Sequence, residues 1–222
     1  MRVACLFSGG KDSTFAVWAA VHAGWEIDSL ITFAPTSPES YMFHHPNTRW
    51  TALQAGAMGL RHLLVKTSGE MERELRDLRS TLARLDVDGV VSGALASEYQ
   101  KERIDFACEE LGLRSFTPLW HIDTEAFMLE VAENFETMIT SVSAEGLDER
   151  WLGRRIDVGC IDDLRRLRET HGISVSGEGG EFETFVLDCP LFSKRIKILS
   201  AKERWKGTAG VLEITSARLV AK

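Results

Sequence analysis

Cysteine is scarce and scattered in this sequence. The four cysteines among 222 residues, Cys5, Cys108, Cys160 and Cys189, form no C-x-x-C pair. A zinc or dithiol redox centre is therefore not expected. Cys5 lies in an apolar run and Cys108 on a helical apolar face, so both read as small core residues. Reduced thiols fit a cytoplasmic protein. Basic residues are also in deficit, with 26 Lys and Arg against 33 Asp and Glu, a net charge of −7. Wrapping a nucleic acid demands the opposite sign, so nucleic acid is not an expected partner. No apolar run approaches the roughly 20 residues of a membrane span. Met1-Arg2-Val3 leads straight into a strand pattern, so no signal peptide is expected. Two common nucleotide motifs are missing too: no G-x-x-x-x-G-K-[ST] loop and no G-x-G-x-x-G fingerprint occurs.

What stands near the amino terminus instead is more specific. The apolar run Val3-Ala4-Cys5-Leu6-Phe7 delivers the chain to Ser8-Gly9-Gly10-Lys11-Asp12-Ser13, and a helix starting near Ser13 carries it away. Glycines 9 and 10 lack a Cβ, so the backbone can curl and approach a ligand closely. Unpaired N–H groups at the helix start then face an anion. Lys11 adds a positive charge, and the Ser8 and Ser13 hydroxyls add donors. Asp12 is the odd member, because a carboxylate repels phosphate unless a divalent cation sits between them. The set reads as a site for a polyphosphate carrying Mg2+, although an ordinary capped turn would use similar residues. The hexapeptide S-G-G-K-D-S resembles the PP-loop of ATP pyrophosphatases, which cleave ATP between the α and β phosphates. It says nothing about the second substrate.

The first half alternates strand and helix. Strand patterns occupy Val3–Phe7, Ile27–Phe33, His62–Lys66, Gly89–Ser92 and Leu113–Phe116. Helical patterns occupy Ser13–Ala23, Arg49–Met58, Glu70–Leu85 and Ser97–Leu111, with Gly24, Gly59 and Gly112 at the C-cap positions. This rhythm predicts an α/β fold, a five-stranded parallel sheet with helices on both faces. Ligands bind such sheets beyond the carboxyl ends of the strands, which places Ser8–Ser13, Ala34–Asn47 and Gly93–Glu98 on one rim. After Pro118 a helix at Asp123–Asn134, a strand at Thr137–Val142 and a helix at Ile161–His171 follow. The β-branched tail from Glu183 to Lys222 turns at Lys206-Gly207 and Ala209-Gly210, which predicts antiparallel pairing. The division expected is an ATP-binding domain over 1–120 and a smaller α+β substrate domain over 121–222.

Three other constellations carry chemistry. Glu178-Gly179-Gly180-Glu181-Phe182-Glu183 crowds three carboxylates around two glycines, which repel one another unless solvated or bound to a cation. A solvated acidic turn is the plain alternative, but the apolar run Thr184–Leu187 that follows favours a turn held against the core. Gly93-Ala94-Leu95-Ala96 offers small residues at a strand tip. Ser97 and Gln100 then have the spacing of a capping box, which accounts for both without a ligand. Arg103 reaches either back to phosphate or to Glu102 and Glu109. Ser40–Asn47, with His44 and His45, reads as a substrate-contacting loop or a loop packed by its own aromatics; adjacent histidines are a weak metal signal.

Taken together, Ser8–Ser13, Ser40–Asn47, Gly93–Arg103, Pro118-Leu119-Trp120 and Glu178–Pro190 resemble the diphthine–ammonia ligase family over the whole chain, in its short archaeal form. The stretch E-G-G-E-F-E-T-F-V-L-D-C-P is far more specific than the PP-loop. The resemblance implies ATP-dependent amidation of diphthine on translation elongation factor 2. ATP would adenylate the diphthine carboxylate with loss of pyrophosphate, and ammonia from ammonium would displace AMP. It implies binding of ATP by Ser8, Gly9, Gly10, Lys11, Asp12, Ser13, Ile31, Phe33, Gly93 and Arg103, with Asp12 on Mg2+. Catalytic work falls to Lys11, Asp12, Glu178, Glu181 and Glu183, and acceptor contacts to His44, Tyr99, Gln100 and Trp120. The quaternary ammonium of diphthine prefers aromatic faces and acidic neighbours, such as Trp120 or Phe182 with the three glutamates. The same carboxylates would equally suit ammonium and its deprotonation.

Other readings need different features. A PP-loop thiolase or lysidine synthetase acting on tRNA fits poorly with acidic charge and no cysteine pair. A glutamine-dependent amidotransferase needs a glutaminase domain for which no room is expected. A non-catalytic nucleotide-binding module would need neither the acidic cluster nor pyrophosphate release. None of these motifs encodes an oligomeric state.

Overall fold

A computed structural model describes residues 1–35, 47–68 and 71–222 of the chain. The first strand, β1 (Arg2–Leu6), is buried on both sides. Val3, Cys5 and Phe7 point into one apolar cluster, while Ala4 and Leu6 point into another. That two-sided burial is what a central parallel strand requires.

The chain continues through α1 (Lys11–His22), β2 (Glu26–Pro35), α2 (Thr51–Met58), β3 (His62–Thr67), α3 (Met71–Leu82), β4 (Gly89–Val91), α4 (Glu98–Glu110) and β5 (Arg114–Phe116). The five strands are all parallel, in the order β3-β2-β1-β4-β5. Helices α1 and α2 cover the Val3 side through Ala16, Val17, Ala20 and Ala55. Helices α3 and α4 cover the Ala4 side through Leu78, Leu82, Ile104 and Ala107. The chain runs outward from β1 to β2 and β3, then crosses back to β4 on the other flank of β1. The crevice beyond the carboxyl ends of β1 and β4 is therefore the switch point of the sheet.

The second half contains α5 (Thr124–Asn134), β6 (Glu136–Val142), α6 (Val158–His171), β7 (Phe182–Asp188), β8 (Arg195–Lys206) and β9 (Ala209–Val220). Its four strands pair antiparallel in the order β7-β6-β9-β8. Phe127 and Val131 of α5 and Ile161 and Leu164 of α6 pack into one core with Ile139, Phe185 and Ile214. Both helices start on aspartate caps. Asp123 accepts from the amides of Glu125 and Ala126 at 3.0 and 3.1 Å, and Asp157 from that of Cys160 at 2.8 Å.

The two sheets are joined tightly. Phe15 and Trp18 of α1 pack into the second core, and Ser193 N–H donates to Ala57 C=O at 2.7 Å. The chain passes between the sheets through a turn at 118–121.

The predicted architecture holds, and several ends move for physical reasons. Helix α1 begins at Lys11, not Ser13, on a Gly10 N-cap without its own side-chain bond. Helix α6 begins three residues before Ile161, because Asp157 caps it. Ala209-Gly210 is not a turn; it opens β9, and the hairpin turns at Gly207, whose φ is +63°. All four cysteines are free and buried, as read for Cys5 and Cys108. Among the described residues no helix is long and apolar enough to cross a membrane.

Candidate active site

The switch point holds the glycine loop. Gly9 has φ +83°, and a Cβ there would lie 2.3 Å from Gln54 Oε1. Its C=O accepts from Gln54 Nε2 at 2.8 Å and from Val186 N–H at 3.0 Å. Gln54 Nε2 also donates to Val186 C=O at 2.9 Å, so one buried side chain ties the loop to β7. The amide of Lys11 donates to Thr184 Oγ1 at 3.0 Å. Thr184 thus supplies, from the second sheet, the cap that Gly10 lacks. Ser8 and Ser13 face each other, with their hydroxyl oxygens 3.1 Å apart.

Residues from both flanks of the switch point line one cleft: Phe7, Ser8, Asp12, Ile31, Phe33 and Gly93. Gly93 abuts the first turn of α1 so closely that a Cβ would sit 2.7 Å from backbone atoms of Asp12 and Ser13. Gln100 also lines the cleft, while its amide donates to the Ser97 cap at 3.4 Å. The cap read at Ser97 is present, and Gln100 stands on the wall of the same cleft. The apolar walls, the small residue at 93 and the helix start suit a nucleotide and its phosphates.

Lys11 departs from a simple phosphate clamp. Its side chain is almost fully buried, and Nζ donates to Asp12 Oδ1 and Oδ2 at 2.9 and 3.0 Å. The ammonium also lies 5.9 and 5.5 Å from the ring centroids of Phe127 and Phe182. Two aromatic faces and one carboxylate thus replace its hydration. Asp12 is partly exposed on the cleft side, where one carboxylate suits a magnesium ion that keeps its other ligands from phosphate and water. Among the described residues no three His, Cys, Asp or Glu side chains form a metal cage.

The acidic segment divides. Glu178 is exposed. Glu181 folds back on its own turn, accepting from Ser174 N–H at 2.8 Å. Glu183 lies in β7 and is partly buried. Alternation puts Phe182 and Thr184 on one face of β7 and Glu183 on the other.

The remaining predicted residues scatter. The Arg103 guanidinium stacks 3.5 Å from the Tyr99 ring centroid and donates to Tyr99 C=O, so it stays against its own helix. Trp120 lies at the turn after β5, with Lys101 Nζ 5.5 Å from its ring. His44 and most of the Ser40–Asn47 loop lie outside the described residues.

Three residues that sequence reasoning missed support this site. Thr184 and Gln54 are described above; Thr184 sits inside the E-F-E-T stretch, and Gln54 is the one amide side chain in helix 51–58. The third is His62. Its Nε2 lies 3.0 Å from Thr32 Oγ1 and 3.1 Å from Thr51 Oγ1. Those hydroxyls donate to Phe7 C=O and Thr48 C=O, so Nε2 carries the proton. Burial lowers the His62 pKa below its ordinary value by disfavouring the charged ring.

Comparison with known proteins places this geometry. A family model described as the diphthamide synthase N-terminal domain matches residues 1–115, and one described as the diphthamide synthase C-terminal domain matches 123–220. A Homo sapiens protein named diphthine–ammonia ligase is 34% identical over 91% of this chain and 84% of its own length. Its Danio rerio counterpart is 35% identical, over 91% of this chain and 88% of that protein. The Schizosaccharomyces pombe protein of the same name is 32% identical, but the match spans only 38% of that longer chain.

Proposed function

The chain belongs to the diphthamide synthase family, and from that premise we propose that it is an ATP-dependent ligase amidating diphthine on translation elongation factor 2. One observation carries the reading. The segment most specific to the family is bonded to the nucleotide loop through Thr184, Val186 and Lys11. These bonds support reading the nucleotide cleft and the acceptor segment as one site.

The chemistry follows from what each group can do. A carboxylate is a poor electrophile, so its oxygen first attacks the α-phosphate of ATP and pyrophosphate leaves. The α1 start, with the Ser8 and Ser13 hydroxyls, holds the departing pyrophosphate and stabilises the charge growing on it. Asp12 would hold Mg2+, which supplies charge neutralisation on the phosphates. The Lys11 ammonium, held by Asp12 at the start of α1, is assigned to the same phosphates. In the second step neutral ammonia attacks the acyl carbon, AMP leaves, and the amide keeps the nitrogen. Ammonium must first lose a proton, and Glu183 is the carboxylate assigned to take it. Tyr99, Gln100, Trp120 and His44 are assigned to the acceptor, and the reaction to the cytoplasm.

The test is direct. The chain is incubated with diphthine-bearing elongation factor, ATP, magnesium and ammonium, and the factor is weighed intact. Conversion of acid to amide with AMP formed in step supports the reading. AMP without amide, or no AMP, overturns it.

A further inference from the structure

The carboxyl-terminal hairpin reverses the charge of the chain. Residues 194–222 carry eight Lys and Arg against two Asp and Glu, although the whole chain has 26 against 33. Most of this charge lies on β8, the outer edge of the second sheet.

Strand register connects that edge to Glu183, the carboxylate assigned above to the second step. Glu183 pairs with Ser141, Ser141 with Val211, and Val211 with Arg204. Directly paired residues share a sheet face, so Glu183 and Arg204 stand on one face, three strands and about 14 Å apart. Lys202 and Lys206 flank Arg204 on that face by alternation. On the opposite face Trp205 packs over Gly210 beside Leu152. Arg49 adds a fourth exposed cation, since it donates to Ile214 C=O and lies 3.6 Å from Glu213. Glu213 also pairs with Arg204 at 2.7 Å, so a single carboxylate serves both arginines. Lys202 and Lys206 have no carboxylate partner among the described residues.

We propose that this sheet face is the docking surface for the protein acceptor, with Lys202, Arg204, Lys206 and Arg49 meeting an acidic patch beside the modified side chain. The inference rests on the functional reading above, and it adds where the acceptor lies. A side chain reaching Glu183 belongs to a folded protein, and a standard interface covers about 800 Å² on each partner. A patch of that size centred near Glu183 extends past the Arg204 edge. Charge complementarity then requires an acidic acceptor surface, which speeds encounter and fixes orientation. Edge lysines also guard a strand against self-pairing, and the experiment separates the two roles.

The test uses the full chain with diphthine-bearing elongation factor and varies the acceptor concentration. The double variant Lys202→Glu/Lys206→Glu should raise KM for the acceptor by at least about tenfold. Its kcat and its KM for ATP should match wild type, and the wild-type acceptor KM should rise with salt. Lys202→Arg/Lys206→Arg should behave as wild type. An acceptor KM within twofold of wild type overturns the inference, whether or not the variant aggregates. So does a loss confined to kcat, or charge-dependent binding that moves to a single-stranded RNA probe while the acceptor KM stays put. If wild type forms no amide, the functional reading itself falls and takes this inference with it.

Discussion

The Lys11 amide donates to Thr184 Oγ1 at 3.0 Å, so the first turn of α1 is capped by a residue 173 positions later. The nucleotide loop cannot take this shape without the second sheet beside it. Thr184→Val removes the acceptor and leaves a buried N–H unpaired, a loss of about 1–3 kcal/mol. Thermal unfolding should show that loss, and the KM for ATP should rise. Thr184→Ser should preserve both. A valine variant with normal stability and ATP affinity would contradict the cap.

The three glycines around the loop are not equivalent. Gly9 combines φ +83° with a Cβ position 2.3 Å from Gln54 Oε1, and at Gly93 the blocking atoms are the backbone of Asp12 and Ser13 at 2.7 Å. Gly10 has an ordinary φ of −80° and its nearest obstacles at 3.2 Å. Gly9→Ala and Gly93→Ala should lose ATP binding, read by calorimetry, while Gly10→Ala keeps most of it. The reverse ranking would mean the loop is built differently.

Asp12 has two tasks, as partner of a buried ammonium and as the carboxylate on the cleft side. Asp12→Asn should lower stability by about 1.5–3 kcal/mol through the weakened charged hydrogen bonds to Lys11. It should also raise the magnesium concentration needed for half-maximal AMP formation. A stability loss with an unchanged magnesium requirement would leave Asp12 only the first task.

His62 makes the site sensitive to acid. Burial lowers its pKa in the folded chain, so the unfolded chain takes the proton first as pH falls. Its contribution to stability is full above the unfolded value, about 6.5, and declines as pH drops through the lower folded value. His62→Gln keeps a donor near Thr32 and Thr51 without a titrating ring. Urea unfolding between pH 7.5 and 5 should show a shallower decline for the variant; parallel curves would remove His62 from the account.

Much of the first sheet was legible because its signals are local. The apolar run 3–7, the glycines at 9 and 10 and the positive-φ stops at Gly24, Gly59 and Gly112 each act within a few residues. What was not legible depends on distant partners. The start of α1 could not be placed without Thr184, nor the polarity of Gln54 explained without Val186. Glu181 and Glu183 look alike in sequence, yet Glu181 closes its own turn on Ser174 while Glu183 stands in β7, paired with Ser141. That Glu183 shares a face with Arg204 follows from the strand order β7-β6-β9-β8, which no local pattern encodes.

The most direct measurement of the central claim is nitrogen transfer. Diphthine-bearing elongation factor is incubated with the chain, ATP, magnesium and ammonium carrying heavy nitrogen, and the modified peptide is sequenced by mass spectrometry. The account predicts heavy nitrogen in the side-chain amide, one AMP formed per amide, and loss of both when Gly93 is replaced by alanine. Label absent from the peptide, or label incorporated without AMP, would contradict it.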